Sequence, residues 1–233
     1  MIKVLAISGA LVIATFVFFG FSTQNRAEVD ELERSLERGT LVWHSQMAKA
    51  KGKQSVLLGS TIVDYAVPRS MDDALANYHL VVAEPISSRS YPTTYNIQSW
   101  YKFRLIEELS APATNCIDCV STVGPPEDLL PLEPDEFLSA KVGGEVTVDG
   151  VRITSRDPEF PAFETGKRYL LLVAFDSKRI VGVLRSGPWG AFALNAADRL
   201  EPVNAKLKHP FSQKLSEQFG NSLATLRLSL KRN

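Results

Sequence analysis

Tyr95-Asn-Ile-Gln-Ser-Trp-Tyr-Lys-Phe-Arg-Leu-Ile106 alternates along its length. Tyr95, Ile97, Tyr101, Phe103 and Leu105 share one face, while Asn96, Gln98, Lys102 and Arg104 share the other, which is broken by Trp100. A strand with one apolar and one polar side packs on a core and meets water, which is the habit of antiparallel sheets; parallel strands are covered on both faces. The stretch therefore predicts a mainly β chain with hairpin connections.

Working outward, Glu145-Val-Thr-Val-Asp-Gly-Val-Arg-Ile-Thr154 carries an Asp-Gly pair that fits a two-residue turn with positive φ. Closing it there sets Val148 opposite Val151 and Val146 opposite Ile153, on one face. Tyr169 to Phe175 and Ile180 to Leu184 read as apolar strands joined by the turn Asp176-Ser-Lys-Arg179, and a short strand is expected near Ser55–Leu58. Leu80 to Ile86 is a strand followed by a serine-rich turn with Tyr91-Pro92, and Ser70 before Met71-Asp72-Asp73 opens a short helix to Asn77. Five prolines between Leu109 and Glu136 exclude a central strand or helix there, and Leu129, Leu130, Leu132, Phe137 and Leu138 are expected to pack that loop back on the domain. After Pro210, Phe211, Leu215, Phe219, Leu223, Leu226 and Leu230 keep helical spacing; Gly220-Asn221 can split the run, with Ser222 capping the second part. Five or six antiparallel strands with flanking short helices predict a small OB-like barrel, closed or half-closed.

At the other end, Lys3 precedes an uncharged stretch, residues 4–21. As a helix it would be about 27 Å long, near the roughly 30 Å core of a bilayer. It is a retained anchor or a cleaved secretory signal; its length favours the anchor, and Phe21 between Gly20 and Ser22 makes a poor cleavage site. The amine and Lys3 lie before it, while Arg26, Glu28, Asp30 and Glu31 follow, so the body faces away from the cytoplasm. Val29, Leu32 and Leu36, with Gly39 as terminator, read as a juxtamembrane helix. The expected organisation is a membrane segment (1–22), a juxtamembrane helix and linker (23–60), a β domain (61–204) with its proline-rich loop (109–136), and a C-terminal helical segment (205–233).

Lys plus Arg equals Asp plus Glu at 26 each, so no overall field draws nucleic acid. Cys116-Ile-Asp-Cys119 holds both cysteines. In a proline-rich loop beside Asp118, with no neighbouring cation, they fit a local structural disulfide better than redox work or metal binding. His44, His79 and His209 are not paired at ligand spacing, so no metal and no cofactor is expected. Ser186-Gly187 lacks the glycine frame of a hydrolase serine, and Gly143-Gly144 precedes a hairpin where a phosphate loop would precede a helix. Trp189, in Ser186-Gly-Pro-Trp-Gly190, and Trp100 are the candidate binding residues, although a plug in the barrel end is the favoured reading of Trp189.

Leu80-Val-Val-Ala-Glu-Pro-Ile86, Tyr101-Lys-Phe-Arg-Leu-Ile-Glu-Glu108, the Val146–Ile153 hairpin and Phe163-Glu-Thr-Gly-Lys-Arg-Tyr-Leu-Leu171 together resemble the strand plan of netrin-like domains, the OB-type module of tissue inhibitors of metalloproteinases. Asp135-Glu-Phe-Leu138 and Gly143-Gly144 also resemble elements of secreted bacterial β-domain proteins of unknown function. The resemblance spans roughly residues 78–175, rests on strand rhythm and the Gly-x-x-Tyr-Leu element, and implies an OB-type β module. Inhibition is not implied, because the N-terminal cysteine that chelates the protease zinc has no counterpart here. Two functions follow as expectations. The first is a membrane-anchored, extracytoplasmic binding or assembly module without catalysis, recognising a protein or glycan; the alternative is an exported thiol–disulfide oxidoreductase using Cys116 and Cys119.

Overall fold

The computed structural model describes residues 29–60, 63, 65–112, 124–206 and 210–231, and the chain sorts into two units. Unit 1 joins the N-terminal segment up to Leu58 with Pro92–Ile97 and Glu145–Thr154; unit 2 holds the rest.

In unit 1, residues 29–35 are helical. Thr40 then caps helix α1 (Leu41–Ala50) by accepting a hydrogen bond from the Trp43 N–H at 3.1 Å. The sequence reading takes this region as a connection and misses the helix, because buried Ser45 interrupts the apolar set of Leu41, Met47, Ala48 and Ala50. Ser45 Oγ donates to the Val148 carbonyl at 2.8 Å, and Gln46 Nε2 donates to Asp149 Oδ2 at 2.9 Å. The helix is thereby fastened to the expected hairpin, whose turn residues Asp149 and Gly150 have φ of 47° and 79°. Three strands result: β1 (Ser55–Leu57), β5 (Gly144–Val148) and β6 (Val151–Ser155), in the order β1-β6-β5 with β1 parallel to β6. Val151 and Ile153 are buried with Leu41, Ala48 and Ile97, and Val146 and Val148 pack against them, so the predicted face is the core face.

Unit 2 is built on β2 (His79–Pro92), β3 (Ile97–Ser110), β4 (Glu136–Val142), β7 (Tyr169–Phe175), β8 (Gly182–Val183), β9 (Ala191–Leu194) and β10 (Leu200–Pro202). The sheet runs β10-β9-β7-β2-β3-β4, with β8 on β7. β2 continues through the serine-rich segment, so the turn falls at residues 93–96, where Thr93 N donates to the Asn96 carbonyl at 2.8 Å. β7 is buried on both faces. Leu170 and Leu172 meet Phe211 and Leu215 of α3 (Pro210–Phe219) and Leu223 and Leu226 of α4 (Leu223–Leu230), while Leu171, Val173 and Phe175 meet Tyr101, Phe103, Phe137 and Phe163. Those two C-terminal helices part where expected, at Gly220 and Asn221 with φ of 58° and 56°, and Ser222 Oγ accepts from Thr225 N at 3.4 Å. Likewise Ser70 Oγ accepts from Asp73 N at 3.1 Å and starts α2 (Met71–Asn77).

Three expectations need correction. Trp100 stands on the face read as wet yet is 1% exposed, packed with Leu138 and Val181 and covered by Leu129 and Leu132 of the proline-rich segment. β4 was not expected as a strand. Nor does the sheet close into a barrel: it curls until Leu138 on the β4 edge makes one parallel bridge to Val181, Leu138 N donating to the Ile180 carbonyl at 2.9 Å. Among the described residues no helix is long and apolar enough to cross a membrane. Residues 4–21, Cys116 and Cys119 lie outside the described residues.

Candidate binding cleft

Past the Leu138–Val181 bridge, a cleft of about 340 Å³ separates residues 140–142 from residues 183–185. Its chemistry starts with β4. Phe137, Ser139 and Lys141 alternate onto the side that faces the aromatic core, so a cation occupies a core-facing position. Lys141 Nζ donates to the carbonyl of Phe160 and lies 5.0 Å from the centroid of the Phe160 ring. Burial lowers its pKa to about 8, against the opposing attraction of Asp157. Ser139, 1% exposed, has no hydrogen-bond partner for its hydroxyl among the described residues.

Asp157 organises the opposite wall. It is 7% exposed and accepts from Glu159 N at 2.9 Å and Phe160 N at 3.1 Å, an Asx-type turn that sets the Phe160 carbonyl and ring against the amine. Its other oxygen accepts from the Tyr65 hydroxyl at 2.6 Å. Burial and then this hydrogen bond raise the Tyr65 pKa far above the ordinary phenol range, which keeps Tyr65 a donor.

The turn around Trp189 holds Tyr65 in place. The Tyr65 ring sits edge-on to Trp189 at 5.7 Å and to Phe160 at 6.0 Å, and it rests on Gly187, where φ is 50° and an added Cβ would lie 2.4 Å from the ring. Trp189 is half-buried in this contact, whereas Trp100 belongs to a different cluster. The two tryptophans singled out in the sequence are thus not brought together. Sequence reasoning missed Lys141, Tyr65 and Asp157; the available signal was the inverted alternation Phe137-x-Ser139-x-Lys141, visible only once β4 is known to be a strand.

Apolar walls come from Val63, Ala140, Val142, Phe160, Val183 and Leu184. Among the described residues, Lys141 and Arg185 are the charged members of the lining. Elsewhere in unit 2, His79 Nδ1 lies 2.6 Å from Glu108 Oε1, and Arg179 donates to Glu108 Oε2 at 3.0 Å. Burial pushes the Glu108 carboxyl up, but these two bonds outweigh it and hold the pKa below the usual range. Among the described residues no cluster of three or more His, Cys, Asp or Glu could hold a metal ion. No protein-family model matches the chain, and no curated protein matches it either.

Proposed function

We propose that this protein is a non-catalytic binding module, held at the outer face of a membrane by residues 4–21, that takes a ligand with an apolar body and an anionic end into its cleft. The observation that carries this reading is the lining: among the described residues its charged members are Lys141 and Arg185, and its walls are otherwise apolar or neutral. Charge attracts more strongly in a half-buried, apolar setting than in water, so one anionic group fixes the orientation while the walls gain from covering the body. A protein or glycan ligand would enter through the same chemistry, by an acidic side chain or a carboxylated sugar. The netrin-like resemblance supports an OB-type β module, and the flanking charges of residues 4–21 support its orientation.

Titration calorimetry of the full chain in lipid nanodiscs tests the proposal, with octanoate, octanol and octylamine as probes. Octanoate is expected to bind best, and Lys141→Met to weaken it about tenfold, or about 1.4 kcal/mol. Equal binding of octylamine would reject the anionic end.

A further inference from the structure

We propose that the cleft takes an extended peptide segment of a partner protein, which adds to the open edge of β4 as an antiparallel strand and carries an acidic side chain between two apolar ones. This names the ligand class of the anionic-ligand reading above and rests on that reading. The ladder dictates where a backbone can bind. β4 ends its sheet, and its pairing with β3 runs without a break from Arg104 opposite Glu136 to Gln98 opposite Val142. Backbone groups of a strand in an antiparallel pair point alternately toward the neighbour and away from it, and Leu138 N turns away from β3, donating to the Ile180 carbonyl at 2.9 Å. Ala140 and Val142 therefore turn the same way, toward the cleft that both of them line. Among the described residues no strand pairs with that edge past the Leu138–Val181 bridge. The facing segment is already engaged: Val183 pairs with Ala174, and the Arg185 carbonyl accepts from Ala66 N at 2.9 Å. The hydrogen bonds of an added strand accordingly go to β4.

Side chains fix the pattern, because an added strand places successive residues on opposite faces. On one face Ala140 and Val183 border the cluster of Trp100, Leu138 and Val181 and also line the cleft, so apolar side chains there extend a core that is already dry. On the other face stands Lys141. The Phe160 carbonyl holds one of its three N–H donors, and two are left for a carboxylate. In the antiparallel arrangement the residues opposite Ala140 and Val142 are the apolar ones and exchange both backbone hydrogen bonds, while the residue opposite Lys141 is the acidic one and turns its N–H away from β4. An inward charge on an edge strand deters apolar strands from pairing there. Lys141 thus rejects a wholly apolar strand and admits one that brings an acid.

The test uses the full chain in nanodiscs and the capped pentapeptide Ser-Val-Glu-Val-Ser, with titration calorimetry for affinity and amide hydrogen exchange for placement. This peptide is expected to bind about tenfold more tightly than Ser-Val-Lys-Val-Ser and to slow exchange at Ala140 and Val142. N-methylation of either valine should weaken binding about tenfold, because it removes a donor that the ladder uses, whereas N-methylation of the glutamate should leave binding unchanged. Methylation tolerated at all three positions, or binding that leaves exchange at Ala140 and Val142 unchanged, overturns the inference. A loss confined to the methylated glutamate overturns the antiparallel direction. Octanoate binding with no binding of the peptide overturns strand addition and leaves the anionic-ligand reading in place. Equal affinity for the two pentapeptides with the expected methylation pattern supports strand addition and rejects the anionic end. Every probe meets the unaltered chain, so no outcome depends on a variant that folds.

Discussion

The two ends of β4 solve the same geometric problem in opposite ways. At Leu138 the curled sheet meets the β8 segment, and the contact is dry: Trp100, Leu138 and Val181 pack together. Gly182 permits the approach, since a Cβ there would lie 2.5 Å from Val173 Cγ1 and 3.0 Å from Phe137 Cδ2. Three residues on, the strand presents Lys141, its wall lined by Phe160, and the gap stays open. The difference teaches that closure of this sheet is decided by a few side chains along one seam, one end selected for close packing and the other for a charged opening.

Truncating the closed end should have the largest effect. Trp100→Ala removes a fully buried ring and is expected to destabilise unit 2 by about 3–5 kcal/mol in urea unfolding followed by circular dichroism. A loss below about 1 kcal/mol would mean that the indole is not what holds that end shut. Gly182→Val asks whether close approach is required there; overpacking against Val173 and Phe137 should cost about 2–3 kcal/mol, and a neutral result would show that the bridge can shift.

At the open end the expected sign reverses. Burial lowers the Lys141 pKa from an ordinary value of about 10.4 to about 8, so below pH 8 both states are charged and folding bears the full burial penalty. Between about pH 8 and 10 the unfolded chain keeps a proton that the folded chain has lost, and the stability of the unaltered protein rises with pH. Lys141→Met should therefore stabilise by about 2 kcal/mol at pH 7, after allowance for partial solvent screening, and the gain should vanish above about pH 10.5. A gain independent of pH would assign it to packing instead. The smallest effect is expected from Tyr65→Phe, about 1 kcal/mol, because Asp157 keeps its two backbone donors. A loss above about 3 kcal/mol would mean that the hydroxyl positions the ring itself.

What the sequence discloses follows the range over which each signal acts. The hairpin at Asp149-Gly150 and the capped helices starting at Met71 and Leu223 are written in a few adjacent residues, and they are found where expected. The 14-residue length of β2 and the burial of Trp100 depend on partners far along the chain, Leu129 and Leu132 among them for the indole, and no local pattern announces them. β4 is hidden for a different reason. Its core-facing positions include Ser139 and Lys141, so the alternation that marks a strand is spoiled by the residues that give the cleft its character. Tyr65, Lys141 and Asp157 are widely separated in the chain and meet only through the curl of the sheet and the Asx-type turn, which sequence spacing does not encode.

Gly143 and Gly144 carry the chain out of unit 2, and Ser155 brings it back. A Cβ on Gly143 would stand 3.2 Å from the Ser155 carbonyl oxygen, so departure and return lie side by side. The segment from Glu145 to Thr154 is therefore a detour out of unit 2, as Pro92–Ile97 is, and its two ends lie side by side. Such a junction tolerates cutting and rejoining: a different hairpin, a reporter or a bare two-residue link could replace the detour while the β3–β4 register stays as it is. The dependence runs the other way for α1, which would lose the Val148 carbonyl and the Asp149 carboxylate that fasten it.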